Sequence, residues 1–303
     1  ISKCYWNNEF GIDEQKRDKD VQLFLESSGI EYQSFDDQII FQPGTILTGQ
    51  GKPFSVFTPF KKKWIENFSL DQLEFETKIT IKEPFNSVKK NYQEISFKKT
   101  HSVDMSMWPS GEAAAKNKLE DFLHKKIFNY SRDRNTPILD GTSRISPYLA
   151  IGAISSRRCI YEAIKLNNFE LQTGKKGICK WVDEIIWREF YKNIMYSFPR
   201  VSMNQPFNLS TLSIKWRHKK NEIEAWKNGK TGFPLIDAAM HQLKYEGWMH
   251  NRLRMVVAMF FTKNLLHDWR IGEAFFMKNL IDGDFASNNG GWQWSASTGT
   301  DAA

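Results

Sequence analysis

The sequence predicts an α/β segment followed by an all-helical domain. Three observations carry this: short strand-like runs around one amphipathic helix near the start, a stretch without period, and helical patterning from Ser110 to the end. Gln15 to Ser27 places Val21, Phe24 and Leu25 at i, i+3 and i+4, leaves Leu23 off that stripe, and meets a stop at Gly29. Ile30 to Phe35 and Gln38 to Phe41 read as strands, and Pro43-Gly44 marks a turn. One helix and two strands make only part of an α/β layer. Phe57-Thr58-Pro59-Phe60 leads into a helix that carries Trp64.

From Phe68 to about Met105 the chain is Lys, Glu, Ser and Asn without period, too long for a structureless loop inside one domain. The expected organisation is therefore a partial α/β domain over 1–67, a linker over 68–109 and a helical domain over 110–303. Ser110 is the expected N-cap of the first helix there. Helices are expected over 111–128, 155–167, 180–196, 221–228, 234–245, 249–266 and 268–281. Pro199, Gly229 and Gly247 serve as stops, and Pro234 as a first-turn proline.

Composition sets outer limits. The 303 residues are 41% hydrophobic and 25% charged, enough for a sizeable core. A net charge of +7 leans toward a polyanionic partner. Cys4, Cys159 and Cys179 are odd in number and lack metal-ligand spacing, so a reduced intracellular setting is expected and no metal. The apolar run from Met255 to Phe261 is too short to span a membrane, so no membrane partner is expected. The opening at Ile1 and the end at Ala303 read as a fragment cut at both ends. Of 11 tryptophans, Trp181, Trp187, Trp216, Trp226, Trp248, Trp269, Trp292 and Trp294 crowd the second half, more than packing asks for.

Four stretches could carry chemistry. Asp282 to Trp294 pairs two carboxylates about Gly283, two carboxamides before Gly290-Gly291, and two tryptophans. No helix pattern fits it, and it reads as a turn held against a planar, polar-edged ligand; a plain helix-to-helix turn is the alternative. Trp248, Asn251, Arg252 and Met255 share a helix face, where an unpaired amide and guanidinium would be costly to bury. An interhelical salt-bridge face is the alternative there, and Arg254 points elsewhere, toward a phosphate. Glu184, Trp187, Arg188 and Tyr191 share another face, with Trp181 one turn earlier and an intrahelical Glu184–Arg188 pair as the simpler reading. Thr142 to Ser146 offers hydroxyls and backbone N–H groups at a helix start, as a pyrophosphate site does.

GTSRISPYLAIGAIS, WVDEIIWREFY, GKTGFPLIDAAM, GWMHNRLRM and DGDFASNNGGWQWSASTGTD together resemble the photolyase and cryptochrome family, most closely the bacterial class I cyclobutane pyrimidine dimer photolyases. The resemblance covers essentially the whole chain. It implies a Rossmann-like antenna domain, here partial, and a helical domain holding FAD without a covalent bond. By motif, Tyr130 and Thr142, Ser143, Arg144, Ile145 and Ser146 would contact the diphosphate and ribityl region. Trp181, Glu184, Arg188, Trp248 and Arg254 would line the flavin cavity, with Asp282, Gly283 and Asp284 on its ribityl side and Asn288 at flavin N5. Glu184, Trp187, Asn251, Arg252, Met255 and Trp294 would meet the lesion, and Arg134 a DNA phosphate. Trp292, Trp269 and Trp216 would pass electrons, in that order from the flavin.

The implied activity is light-driven reversal of pyrimidine dimers in DNA by a monomeric cytoplasmic enzyme associated with the nucleoid. A folate antenna, methenyltetrahydrofolate, is expected near Glu14. Asp13-Glu14 stands where folate-type relatives carry Asn-Glu, and Ser202-Met203 where they carry Cys-Lys. A cryptochrome photoreceptor is the nearest rival, and Met255 and Asn288 speak for repair. Asn251 after His250 removes the His-His pair of (6-4) photolyases. A flavin-free DNA-binding helical protein is a third reading.

Overall fold

The structure is a computed structural model, and it describes residues 3–73 and 103–301. Most of the expected linker lies outside these residues. At its edges Leu73 closes a 3-10 turn and is 2% exposed, and Trp108 is 5% exposed.

Strand β1 (Lys3–Asn7) pairs in parallel with β2 (Glu31–Phe35), joined by α1 (Ile12–Ser27). Parallel neighbours need such a crossover. β1 carries no alternating apolar pattern and was not expected as a strand. The apolar stripe of α1 is buried only at Leu25; Phe24 is 66% exposed. A sheet of two strands is too narrow to cover the rest of it. Gln38 to Phe41, expected as a strand, forms bends, because its N–H groups at Ile40 and Phe41 turn inward to the Glu189 carboxylate and pair with no strand.

The remainder is helical: α2 (Phe57–Asn67), α3 (Glu112–Lys125), α4 (Tyr130–Asp133), α5 (Ser146–Ala150), α6 (Ser156–Lys165), α7 (Lys176–Ser197), α8 (Lys220–Lys227), α9 (Pro234–Glu246), α10 (Asn251–Met259), α11 (Trp269–Asn279) and α12 (Phe285–Ser295). The N-cap of α3 is Gly111 at φ 93°, displacing the expected Ser110. The helix expected to run to Leu266 gives way at Phe260–Asn264 to a π turn. There the Thr262 hydroxyl donates to Ala258 O at 2.7 Å and competes with the helical ladder.

The largest departure is α12, where a turn was expected. Asp284 caps it, its Oδ1 accepting Ser287 N–H at 2.9 Å. Its glycines do not bend the chain. A Cβ on Gly290 would lie 2.2 Å from the Tyr191 ring, so the residue is small to let α12 lie against α7.

Two cores result. One gathers Ile40 to Leu73 with α3, α6 and α7 around Trp64, Phe122 and Phe190. The other gathers α8 to α12 around Trp226, Phe261, Trp269, Phe276 and Trp292. α7 lines the first core and α12 contributes Trp292 to the second, and both carry residues singled out above.

Candidate functional site

Ser146 opens α5, Trp248 precedes α10, Arg254 lies on α10 and Asp282 precedes α12. Three separate motifs thus meet around one carboxylate. Asp282, 6% exposed, accepts Ser146 Oγ–H at 2.7 Å and two N–H bonds from Arg254 Nη2 at 3.0 and 2.7 Å. Arg254 Nε is spent on Met249 O, so its fork is fixed in direction. Trp248 Nε1 reaches Ser146 Oγ at 3.4 Å, and Arg144 lies over the Trp248 ring at 4.6 Å. Arg144 is itself anchored to Glu246 and holds a left-handed φ of 49°, a strained conformation for a long side chain.

Beside this lies a second group. Arg134 Nη1 donates to Glu184 Oε1, and its guanidinium sits over the Tyr130 ring at 5.5 Å. Burial, then the Glu184 charge, push the Tyr130 phenol above its usual range. Glu184 therefore pairs across elements with Arg134, and the intrahelical Glu184–Arg188 alternative is not what forms. Arg252 is forked onto Asn135 Oδ1 at 3.0 and 2.8 Å and touches Met255 Sδ at 3.5 Å, while Asn251 is exposed. Trp187 stacks one face on Phe57 at 3.7 Å. Trp181, buried, packs on Phe122.

Arg188 does not join this group. Its partners are different ones: it donates to Gln38 O and lies 3.9 Å from Asp284. Lys192, one turn on, bonds Asp284 at 2.8 Å. Burial acts to raise the Asp284 pKa, but Lys192 and Arg188 outweigh it and hold the carboxyl well below the usual range. Asn288, on α12, donates Nδ2–H to Glu273 O at 3.0 Å and to Glu273 Oε1 at 3.3 Å. Trp292 and Trp269 are buried in the second core, with Trp216 packed against it. Trp294 donates to Asp301 O. Ile12 N–H meets Ser202 Oγ at 3.1 Å, which brings the start of α1, with Asp13-Glu14, to Ser202.

Some members carry no sequence signal of their own. Glu273 sits among apolar neighbours on α11. Trp226, fully buried, meets Trp292 edge-on at 5.9 Å, and nothing in the sequence separates it from the other tryptophans. Lys192 was legible, four residues after Arg188. His250 is central: 3% exposed, its Nδ1 accepts Arg252 N–H at 3.1 Å, and its Nε2 is buried without a partner among the described residues. Burial, then Arg252, Arg254, Arg134 and Arg144, push it down to about 4, so the ring is neutral and Nε2 carries the hydrogen.

Comparison with known proteins bears on this arrangement. The model of the FAD binding domain of DNA photolyase matches residues 181–303, and that of DNA photolyase matches residues 1–80. A Salmonella typhimurium protein named deoxyribodipyrimidine photo-lyase is 39% identical over 100% of this chain. The solved structure of a bacterial class III photolyase from Agrobacterium tumefaciens has a TM-score of 0.87 and 32% identity over 100% of the chain. That of a cryptochrome from Synechocystis has a TM-score of 0.79 and 25% identity over 99%. The chain spans 63% of the length of each of these three relatives. With both ends of the chain matched to photolyase domains and the motif residues gathered on α5, α7, α10 and α12, the chain belongs to the photolyase and cryptochrome family.

Proposed function

We propose that the intact protein reverses cyclobutane pyrimidine dimers in DNA, using light and FAD held in the helical domain. One observation carries the reading: Arg252, next to the buried His250, is held only by the neutral Asn135 amide and Met255 and meets no carboxylate among the described residues. Of the neighbouring arginines, Arg134 is paired with Glu184, Arg144 with Glu246 and, at 3.8 Å, Asp140, and Arg254 with Asp282. A guanidinium without a counter-charge on the accessible side of the site suits an anionic group such as a DNA phosphate.

The donor set fits a flavin dinucleotide. Ser146 and Arg254 would face its diphosphate and ribityl oxygens, and His250 Nε2–H, buried and unpartnered, lacks only an acceptor. Asn288 spends its Nδ2 on Glu273, and no donor among the described residues meets its Oδ1. That amide oxygen would be free to accept a hydrogen bond from a ring N–H of the flavin. When bound, the flavin supplies light absorption and a transferable electron.

The chain's own residues do the rest. Arg252 and Asn251 lie on the accessible side and would hold the strand, while the exposed cations give salt-dependent affinity. A dimer must leave the base stack to reach such a site, and photolyases are among the enzymes known to extrude their target. Glu184, held by Arg134, would position the dimer's polar edge, with Trp187 and Met255 as apolar walls. Trp292, Trp269 and Trp216 would conduct electrons to the flavin from outside. Methenyltetrahydrofolate would bind near Glu14, as antenna. The protein would act as a monomer on nucleoid DNA in the cytoplasm. No helix of the described residues is long and apolar enough to cross a membrane.

The test is blue-light repair of ultraviolet-irradiated oligothymidylate by the intact, flavin-loaded protein. Loss of dimers under light and not in darkness is expected, and Glu184→Ala should retain flavin with a lower repair yield per photon. A protein that binds and photoreduces flavin but leaves dimers intact would be a cryptochrome-type receptor. A colourless one that takes up no flavin would be neither.

A further inference from the structure

Residues 214–220 read Ile-Lys-Trp-Arg-His-Lys-Lys. Trp216 is half-buried, its inner side packed against the core that holds Trp269 and Trp292. Lys215, His218, Lys219 and Lys220 around it are exposed. The segment is nevertheless pinned. Arg217 N–H donates to Leu266 O at 2.7 Å, and the buried His267 ring meets Arg217 O through Nδ1 at 2.7 Å. A carbonyl only accepts, so Nδ1 carries hydrogen there. Glu222 then gathers Arg217 at 3.2 Å, Lys219 at 3.3 Å and His267 Nε2 at 3.2 Å.

Among the described residues Glu222 is the one carboxylate within ion-pair distance of this run. Lys215 and Lys220 meet none. The result is a half-buried indole packed on the second core and flanked in sequence by exposed cations, a cationic collar, with Leu209, Leu212 and Ile214 exposed before it. Nothing in packing requires four cations around one half-buried aromatic ring.

We propose that this collar is the docking site for a small anionic one-electron donor, a thiolate or an enediolate, that refills Trp216. The inference rests on the tryptophan chain assigned above. When an electron moves inward from Trp216, an indole radical cation remains at the surface. One electron from the donor restores the neutral ring; no bond forms or breaks, and the donor leaves oxidised by one electron. A rim of like-signed charge raises the local concentration of anions and lowers that of cations, and salt removes the bias.

The experiment uses intact, flavin-loaded protein and three thiols that differ in charge: thioglycolate, 2-mercaptoethanol and cysteamine. Lys215→Glu/Lys220→Glu leaves the Glu222 clamp untouched. Relative to the parent at low salt, photoreduction with thioglycolate should slow by about fivefold or more. Cysteamine should become faster, 2-mercaptoethanol should fall between, and the differences should collapse in about 1 M salt. A readout that needs no flavin is tryptophan quenching, taken as parent minus Trp216→Phe. The ratio of iodide to caesium quenching of this component should be several-fold higher in the parent than in the double variant. Equal changes for all three thiols, with Trp216→Phe slow, would overturn the docking site alone. Trp216→Phe photoreducing at the parent rate would overturn the tryptophan chain and this inference with it.

Discussion

Glu189 accepts the indole N–H of Trp64 at 2.8 Å, deep in the first core and across 125 residues of chain. The same carboxylate takes the backbone N–H groups of Ile40 at 2.8 Å and Phe41 at 3.1 Å. One side chain of α7 therefore anchors both the bend after β2 and the helix α2. Asn193, one turn on, accepts Gly44 N–H at 3.2 Å. The face of α7 opposite Glu184 is thereby fixed to the early part of the chain, which sets where Glu184 and Trp187 stand.

Glu189→Ala should therefore cost about 3 kcal/mol or more, since it leaves three buried donors without an acceptor. Glu189→Gln should fall between, because its amide can accept but its NH2 meets a donor. Denaturant midpoints at constant slope measure both. An alanine variant within 1 kcal/mol of the parent (about two-thirds of a decade in the unfolding constant) would show that water replaces the carboxylate.

Glu273 gives stability a pH dependence with a definite sign. Burial pushes its carboxyl up to about 7, and the Asn288 N–H only partly offsets this. Unfolded, the group titrates near its ordinary value of 4.5. The folded chain then holds a proton that the unfolded chain has released, so this stabilisation is full below 4.5 and is lost as pH rises through about 7. Glu273→Gln cannot titrate. Parent stability minus that of Glu273→Gln should fall by a few kcal/mol across that window, at about 1.4 kcal/mol for each pH unit between the two values. A flat difference would mean that Glu273 is solvated.

His250 should behave in the opposite sense. Its folded pKa of about 4, lowered first by burial and then by the four guanidiniums, lies below the ordinary 6.5. The neutral ring contributes fully above 6.5, and that contribution is lost as pH falls toward 4. His250→Asn retains an acceptor for Arg252 N–H, as N-caps require, but carries no titratable ring. Thermal unfolding of this variant should lose less stability than the parent between pH 6.5 and 4. An identical acid limb would place His250 in contact with water.

Periodicity is enough to find most helices of the second half, because each buries one stripe at 3.6-residue spacing. It fails where a tertiary partner overrides local pattern. Gln38 to Phe41 reads as a short strand, yet Glu189 claims the N–H groups of Ile40 and Phe41. Asp282 to Trp294 resembles a turn because paired glycines ordinarily mark bends, whereas the Tyr191 ring explains the first of them. Site residues are legible as faces, Arg252 with Met255 for instance, but their partners are not. Glu273, Glu246 and Asn135 come from elements whose approach only the fold sets.

The two glycines of α12 allow a final test in which neighbouring substitutions have opposite signs. A Cβ on Gly290 would sit 2.2 and 2.3 Å from Tyr191 ring carbons, closer than any carbon contact tolerates. Gly290→Ala must push α12 off α7 or turn the Tyr191 ring, which is itself wedged against Trp187 and Phe190. Overpacking of that kind costs about 1–3 kcal/mol. A Cβ on Gly291 meets nothing within 4 Å, and the residue has ordinary helical φ. Gly291→Ala should therefore gain about 0.5–1 kcal/mol from helix propensity and a less flexible unfolded chain. Denaturation of both variants reads the difference directly. Because α12 also carries Asn288 and Trp292, the Gly290 variant should in addition loosen the Asn288–Glu273 bond and shift the Glu273 pH window, whereas the Gly291 variant should leave that window in place. If both variants were stabilised alike, α12 would not be pressed on α7, and the placement of Asn288 beside Glu273 would fail with it.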